Sequence, residues 1–311
     1  MYDIIIIGAG PAGISAGIYA VSRGMKTLVI GKASIGGTIG KVSTVTHYSA
    51  LIQDETGETF ANRMKAQALA SGVEIIYETV IETKLQGDIK EIHTEVSKND
   101  TDGKEAHVYL AKTVIIAAGC TPRRLNITGE DRLWGKGIGM NAAKSAENYA
   151  GKNVYVVGGA DGAVKEALYL SKFAKSVTII HFEDTLGCIP EFLNKVKAAS
   201  NIRVLTSSRL SAVYGEHHVE ALDIKNETDN TVTTIKDDNC GIFLYAGSVP
   251  NTSLFDGLHT DNGFITVNEK MQTNIDGVFA AGDICAKQVR QAVTAAADGA
   301  VAAINAAACI K

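Results

Sequence analysis

Asp3-Ile-Ile-Ile-Ile-Gly-Ala-Gly-Pro-Ala-Gly13 and Val154-Tyr-Val-Val-Gly-Gly-Ala-Asp-Gly-Ala163 match each other at an offset of 150 residues. Each is a short apolar run that enters a glycine turn, continues through an apolar helical stretch (14–22 and 164–173) and ends in a second apolar run, Thr27-Leu-Val-Ile30 or Val177-Thr-Ile-Ile180. Continuous apolar runs predict strands buried on both faces of a parallel sheet. Strand, glycine turn, helix and strand together form the βαβ unit of dinucleotide binding. In the first copy Gly8 permits the tight turn, Gly10 lets the backbone approach a pyrophosphate, and Gly13 lets helix and strand pack closely. Pro11 and Ala12 open the helix whose N-terminal dipole and free N–H groups face the phosphates.

Outward from these units lie two β-rich stretches, 73–96 and 202–235, whose alternating apolar positions predict meanders laid over the sheet. Each returns to a buried strand, Val114-Ile-Ile-Ala-Ala-Gly119 and Gly241-Ile-Phe-Leu-Tyr-Ala-Gly247, with glycines at hinge positions. Gly277-Val-Phe-Ala-Ala-Gly-Asp283 and the Ala-rich helix predicted over 291–308 have no counterpart in the second repeat, so they belong with the first domain. The predicted fold is α/β, with two Rossmann-like dinucleotide-binding domains, the second inserted into the first: 1–118 with 247–311, and 119–246 between them.

A chain of 311 residues suits about two domains. With 46% hydrophobic and 21% charged residues and four prolines, it falls outside the disordered, collagen-like and coiled-coil classes. Thirty basic against 34 acidic residues leave no polycationic footprint, so no nucleic-acid partner is expected. The apolar run at 4–7 is too short to span a bilayer and lacks the flanks of a signal peptide, which predicts a cytoplasmic chain without membrane association. Cysteines at 120, 188, 240, 285 and 309, with no C-x-x-C, signal neither a disulfide framework nor a metal site.

Taken together, Gly8 to Gly13, Gly36-Gly37, Ala117-Ala118-Gly119, Pro250-Asn-Thr252, Gly282-Asp283 and Arg290-Gln291-Ala292 resemble the low-molecular-weight thioredoxin reductase family of flavoproteins over nearly the whole chain. The resemblance implies FAD in the first domain. Asp283 would contact the ribityl chain, Arg290-Gln291-Ala292 would lie at the pyrimidine side of the isoalloxazine, and Gly36, Gly37 and Thr38 would line the same site. It also implies a homodimer through the FAD domains, with the Ala-rich last helix suited to close packing. Read without the family, Asp283 is an N-cap and Gly36-Gly37 a turn. Two departures stand out. Where an acid often holds the adenosine ribose, the chain has Gly31-Lys32-Ala33, leaving backbone groups or Lys32 for that contact. Thr46-His47-Tyr48 stands where the family has Glu-Asn and an aromatic, which makes His47 either a neighbour of the flavin or a surface histidine.

The second domain departs further. Asn141 and Lys144 occupy the two cysteine positions of the family's redox motif, and neither can exchange a disulfide, so the ordinary thioredoxin reductase reaction is excluded. In Gly158-Gly159-Ala160-Asp161-Gly162 the middle glycine is replaced by Ala160, and Asp161 brings negative charge to the helix start. Where the family has His followed by two arginines for the NADPH 2′-phosphate, this chain has His181-Phe182-Glu183. Glu183 would repel a 2′-phosphate and would suit free ribose hydroxyls instead. NAD(P)H thus loses its usual site, and a second FAD in the inserted domain, or a ligand-free scaffold, stand as alternatives. By resemblance to ferredoxin-linked and diflavin-linked disulfide oxidoreductases, the expected reaction passes electrons from a donor protein such as ferredoxin to a thiol or disulfide protein or another acceptor. A ferredoxin–NAD(P) reductase or NADH oxidase is the second reading, and a flavin-bound redox sensor the third. If thiols take part, Cys120 with Cys285 is the best pair and Cys188 the other candidate, against the reading of all three as inert buried thiols.

Overall fold

The computed structural model describes residues 1–97 and 104–310. It divides into two compact units, Met1–Thr121 with Val249–Lys311, and Pro122–Ser248. The chain crosses between them a few residues beyond the glycines expected to mark the junctions. The connecting segments Cys120–Pro122 and Ser248–Pro250 pair with each other as a two-stranded ribbon.

The first unit begins with β1 (Tyr2–Ile7), α1 (Pro11–Val21), β2 (Thr27–Gly31), α2 (Gly57–Ala70), β3 (Glu74–Tyr77), β4 (Thr79–Lys84), β5 (Lys90–Ser97) and β6 (Lys104–Ile116). The strands order as β3-β2-β1-β6-β5-β4, and Val278–Ala280 pairs in parallel with β6, so the C-terminal segment completes this sheet. Four consecutive isoleucines can sit in β1 because both faces are covered. Ile4 and Ile6 enter the core beneath the helices, while Ile5 and Ile7 enter the core on the other face. Each such side chain contributes roughly 2–3 kcal/mol by leaving water.

The meander expected to lie over this sheet is part of it. β6 is 13 residues long; its C-terminal half pairs in parallel with β1, while its N-terminal part, up to Ala111, pairs antiparallel with β5. One strand long enough to serve two partners removes the need for a separate layer. On the helical face, α1 packs against the last helix, Ala292–Ile310. A Cβ at Gly299 would stand 2.0 Å from the Ala12 carbonyl oxygen, so the two backbones meet directly there. That helix is long and apolar enough to cross a membrane by length and composition alone, but its Ala295, Gly299, Ala302, Ala303, Ala306 and Ala307 are buried within the unit.

In the second unit Ile202–Leu205, Ser176–Ile180, Asn153–Val157, Gly241–Leu244 and Ile138–Gly139 form a parallel sheet in that order. Here the meander, Ser208–Tyr214, Ala221–Asn226 and Val232–Lys236, is a separate antiparallel sheet. Helix Asp161–Leu170 follows the glycine turn, and helix Pro190–Ala198 follows Ser176–Ile180.

Candidate functional site: two glycine turns

Within the first turn the three glycines serve different ends. Gly8 has φ +115°, and a Cβ there would lie 2.1 Å from the Ala117 carbonyl oxygen. A Cβ on Gly13 would lie 1.8 Å from the Gly8 oxygen. The protein's own packing therefore requires both. Gly10 differs, because its Cβ would meet nothing nearer than the Gly36 oxygen at 4.0 Å. No protein atom forbids a side chain there; the glycine keeps space open. Gly37 borders the same opening, where a Cβ would stand 3.5 Å from the Gly10 Cα. No side chain caps α1, its first turn holds no acid, and Pro11 begins it. Its unsatisfied N–H groups and positive dipole end thus face an open cradle suited to an anion. The loop is pinned by Gly36 N–H to the Ala9 oxygen at 2.9 Å, while Lys32 and Thr38 are exposed beside it.

The C-terminal segment brings Asp283 to the same unit, in the turn Gly282–Ile284 after Val278–Ala280. Its Oδ1 is buried and has no hydrogen-bond partner. Burial pushes the carboxyl above the usual carboxylate range, with Lys287 and Arg290 opposing the shift. Asp283 is not the N-cap of the last helix: Gln291 precedes that helix, and Ala292 is its first residue. Supporting groups hold the turn. Gly282 N–H donates to the Asp298 carboxylate at 3.0 Å, and Lys287 pairs with Asp298 at 2.6 Å. The Arg290 guanidinium lies 3.9 Å from the centre of the Phe264 ring and donates to the Asp283 and Cys285 carbonyls, both at 3.4 Å. Asn251 donates its amide to the Ala118 oxygen at 2.8 Å and its backbone N–H to Gly119, securing the end of that strand. Sequence reading passed over Asp298 and Lys287. The signal was present in Asp298, the lone charge in the helix Ala292–Ile310.

An open phosphate cradle and a buried acceptor lacking a donor fit a dinucleotide with a hydroxyl-bearing linker. FAD meets that description: Gly10, Ala12 and Gly37 would hold the pyrophosphate, Gly13 would keep the helix close to the turn, and Asp283 would take the ribityl hydroxyls.

Among the proposed catalytic residues, His47 is exposed, with Nδ1 3.1 Å from the Thr46 hydroxyl. Cys120 donates its thiol to the Asp283 carbonyl at 3.2 Å, which brings Cys120 and Cys285 to the same turn. Cys285 is a core side chain, 1% exposed, and burial pushes its thiol up to about 12. Burial and the neighbouring Asp161 also raise Cys188. Both shifts oppose the thiolate that exchange needs. None of the five cysteines forms a disulfide. Among the described residues no His, Cys, Asp and Glu cluster could hold a metal ion.

In the second turn Gly158 has φ +132° and lies against the Tyr245 oxygen, while Gly159 is pressed by the His181 ring, 2.5 Å from where its Cβ would be. Asp161 opens the helix, and its Oδ1 accepts from Ile189 N–H at 2.8 Å, tying the loop before helix Pro190–Ala198 to the helix start. His181 is 5% exposed; its Nε2 lies 3.0 Å from Glu183, and its Nδ1 has no partner. Phe182 is 47% exposed, with the Arg209 guanidinium 4.5 Å from its ring centre. Asn141, at the first of the absent cysteine positions, caps the short helix Ala142–Ser145, its Oδ1 accepting from Lys144 N–H at 3.0 Å. The two positions that would carry a dithiol now form a helix cap.

Comparison with known proteins gives these sites a family. The pattern of the pyridine nucleotide-disulphide oxidoreductases matches residues 2–299. A thioredoxin reductase of Peptoclostridium acidaminophilum is 38% identical over 98% of this chain and 96% of its own. The solved thioredoxin reductase of Lactococcus lactis superposes with a TM-score of 0.91 at 32% identity, covering 100% of this chain and 99% of that one. A ferredoxin-flavin thioredoxin reductase from Clostridium acetobutylicum matches at 30% identity with a TM-score of 0.52, covering 99% and 97%. The chain therefore belongs to the pyridine nucleotide-disulphide oxidoreductase family, as a thioredoxin reductase-like, FAD-dependent oxidoreductase.

Proposed function

We propose that this flavoprotein takes electrons from a protein donor, reduced ferredoxin being the leading choice, and passes them to a disulfide-bearing protein or another acceptor, without NADPH. The observation that carries this reading is the start of helix Asp161–Leu170. A carboxylate stands there, and the adjoining strand end offers Phe182 and Glu183 where a 2′-phosphate needs cations. The match to a ferredoxin-flavin thioredoxin reductase supports the donor class. Bound FAD supplies the electron-transfer chemistry. The chain's own part is to seat it: α1 offers its N–H groups, Asp283 accepts hydroxyls, and Arg290 braces the turn.

With Asn141 and Lys144 at the dithiol positions and Cys285 buried as a protonated thiol, this reading draws the exchanging thiols from the acceptor. A homodimer through the first unit accompanies it, because the last helix leaves Val293 and Ile304 exposed on its outer side. The test is an anaerobic titration of the flavin-loaded protein with NADPH, NADH and reduced ferredoxin, with free thiols counted before and after. Bleaching by ferredoxin alone with an unchanged thiol count supports the reading, and rapid bleaching by NADPH overturns it.

A second reading rests on Glu183. A carboxylate at this strand end suits the ribose hydroxyls of NADH or of a second FAD, and ready bleaching by NADH in the same titration would select the NADH-linked enzyme.

A further inference from the structure

Apart from the two glycine turns, the first unit carries a cavity of about 440 Å³ between the segment 48–50 and one face of α2. Small-molecule pockets lie in this size range and combine apolar walls with a few polar groups. Here Tyr48, Phe60 and Met64 give the apolar wall, the Tyr48 and Phe60 rings meeting edge to face with 5.0 Å between centres. Ser49, Arg63 and Gln67 supply the polar groups. The loop above is anchored at its base, where Val45 N–H donates to the Glu55 oxygen at 2.8 Å and Gly57 N–H to the Val42 oxygen at 3.1 Å. Between these anchors Ala50 (φ +62°) and Asp54 (φ +55°) take the left-handed conformation that favours glycine. Strain of this kind clusters at ligand clamps. Arg63 is built into the site from behind. The fully buried Glu55 carboxylate accepts from the Thr59 hydroxyl at 2.6 Å, from Ile52 N–H at 3.4 Å and from the Arg63 guanidinium, while the Arg63 side chain is 48% exposed. Arg63 also donates to the Ala50 oxygen at 3.5 Å. A guanidinium has five N–H donors, so these two bonds leave others for a ligand.

We propose that this cavity binds a small aromatic monocarboxylate: the ring lies against Tyr48, Phe60 and Met64, and the carboxylate takes the donors that Arg63 leaves open. A planar ring suits the aromatic and thioether wall, and a carboxylate matches the guanidinium fork. One negative charge is favoured over two, because the Glu55 carboxylate stands directly behind the guanidinium and offsets it. An occupant that bridges the loop and α2 fixes the segment 46–54, the stretch that carries His47. The proposal goes beyond the reading above and holds whichever donor reduces the flavin.

Calorimetric titration of the FAD-loaded protein with 2-naphthoate and with its neutral isostere 2-naphthamide tests it. Naphthoate should bind about tenfold tighter or more, the scale of a hydrogen bond to a charged group. Ala66→Trp, at an exposed α2 position lining the cavity, should fill the space and abolish binding of both compounds. Arg63→Gln alone would leave Glu55 buried without its cation, so it is made together with Glu55→Gln. That double variant should lower naphthoate affinity to the level of naphthamide. Hydrogen exchange in the segment 46–54 should slow by about tenfold with naphthoate in the wild type and stay unchanged in Ala66→Trp. Absence of naphthoate binding at millimolar concentration, equal affinity for the amide, or binding undiminished in Ala66→Trp would overturn the proposal. Bleaching by ferredoxin can succeed or fail independently of each of these outcomes.

Discussion

At the first glycine turn α1 is preceded by Gly10 with φ −81° and ψ −174°; at the second, the helix is preceded by Ala160 with φ −82° and ψ 172°. The backbone path is the same. The difference lies in what stands at the helix start: an open cradle with Pro11 and no charge in one unit, a methyl group and the Asp161 carboxylate in the other. A helix N-terminus attracts anions through its dipole and free N–H groups, and a carboxylate at its first residue already answers part of that demand. Asp161 also turns its side chain to Ile189, so it serves loop closure as well. The βαβ unit can thus outlive its usual ligand, because the glycines that pack it (Gly8, Gly13, Gly158) are distinct from the one that admits phosphate.

The comparison can be broken by substitution. Gly13→Ala should have the largest effect, since its Cβ would overlap the Gly8 oxygen. We expect about 3 kcal/mol of destabilisation or failure to fold, read by urea unfolding; wild-type stability would show that helix and strand can part. Next, Gly10→Val should leave the fold intact and lower flavin per chain to below about a tenth, read from the ratio of flavin to protein absorbance. A fully yellow variant would contradict the cradle.

Asp283→Asn should weaken flavin retention while stabilising the flavin-free protein at neutral pH. Folding raises the Asp283 carboxyl, so its contribution to stability is fully present below the ordinary carboxylate range and is lost as pH rises through the raised value. Thermal unfolding of flavin-stripped protein should therefore show the variant's advantage at pH 7 and not below about pH 4; the opposite trend would mean that Asp283 finds a partner in the empty site. Ala160→Gly with Phe182→Arg and Glu183→Arg should raise the rate of flavin reduction by NADPH by about tenfold or more, equivalent to about 1.4 kcal/mol. Stopped-flow bleaching reads it, and no gain would mean that the second site has diverged beyond these positions. Smallest is Gly162→Ala: nothing lies within 4 Å of its Cβ, so about 0.5 kcal/mol of stabilisation is expected in urea unfolding.

Much of this was legible in the chain because its signals are local. A four-isoleucine run ending in glycines reads as a doubly buried strand, and the repeat at 150 residues reads as two such units. The absence of a C-x-x-C is plain from the residues themselves. The meander of the first unit was misplaced because the length of β6 depends on which partners its two halves find, and alternation alone does not carry that information. The contact of Arg209 with Phe182 was not legible: the two lie 27 residues apart, and only the backbone bonds of Ser207 to Glu183 and Ser208 to His181 bring guanidinium to ring.

By itself the sequence determined the two βαβ units, the flavoprotein resemblance and the loss of the dithiol, since each rests on residue types at fixed short spacings. The tertiary structure alone decided that Gly10 keeps space open while Gly8 and Gly13 fill it, that the Asp283 Oδ1 is buried without a donor, and that Cys285 is sealed in the core. Those are facts of distance and burial between segments remote in sequence. Solvation and close contact, which set the chemistry of a carboxylate or a thiol, exist only once those segments have packed.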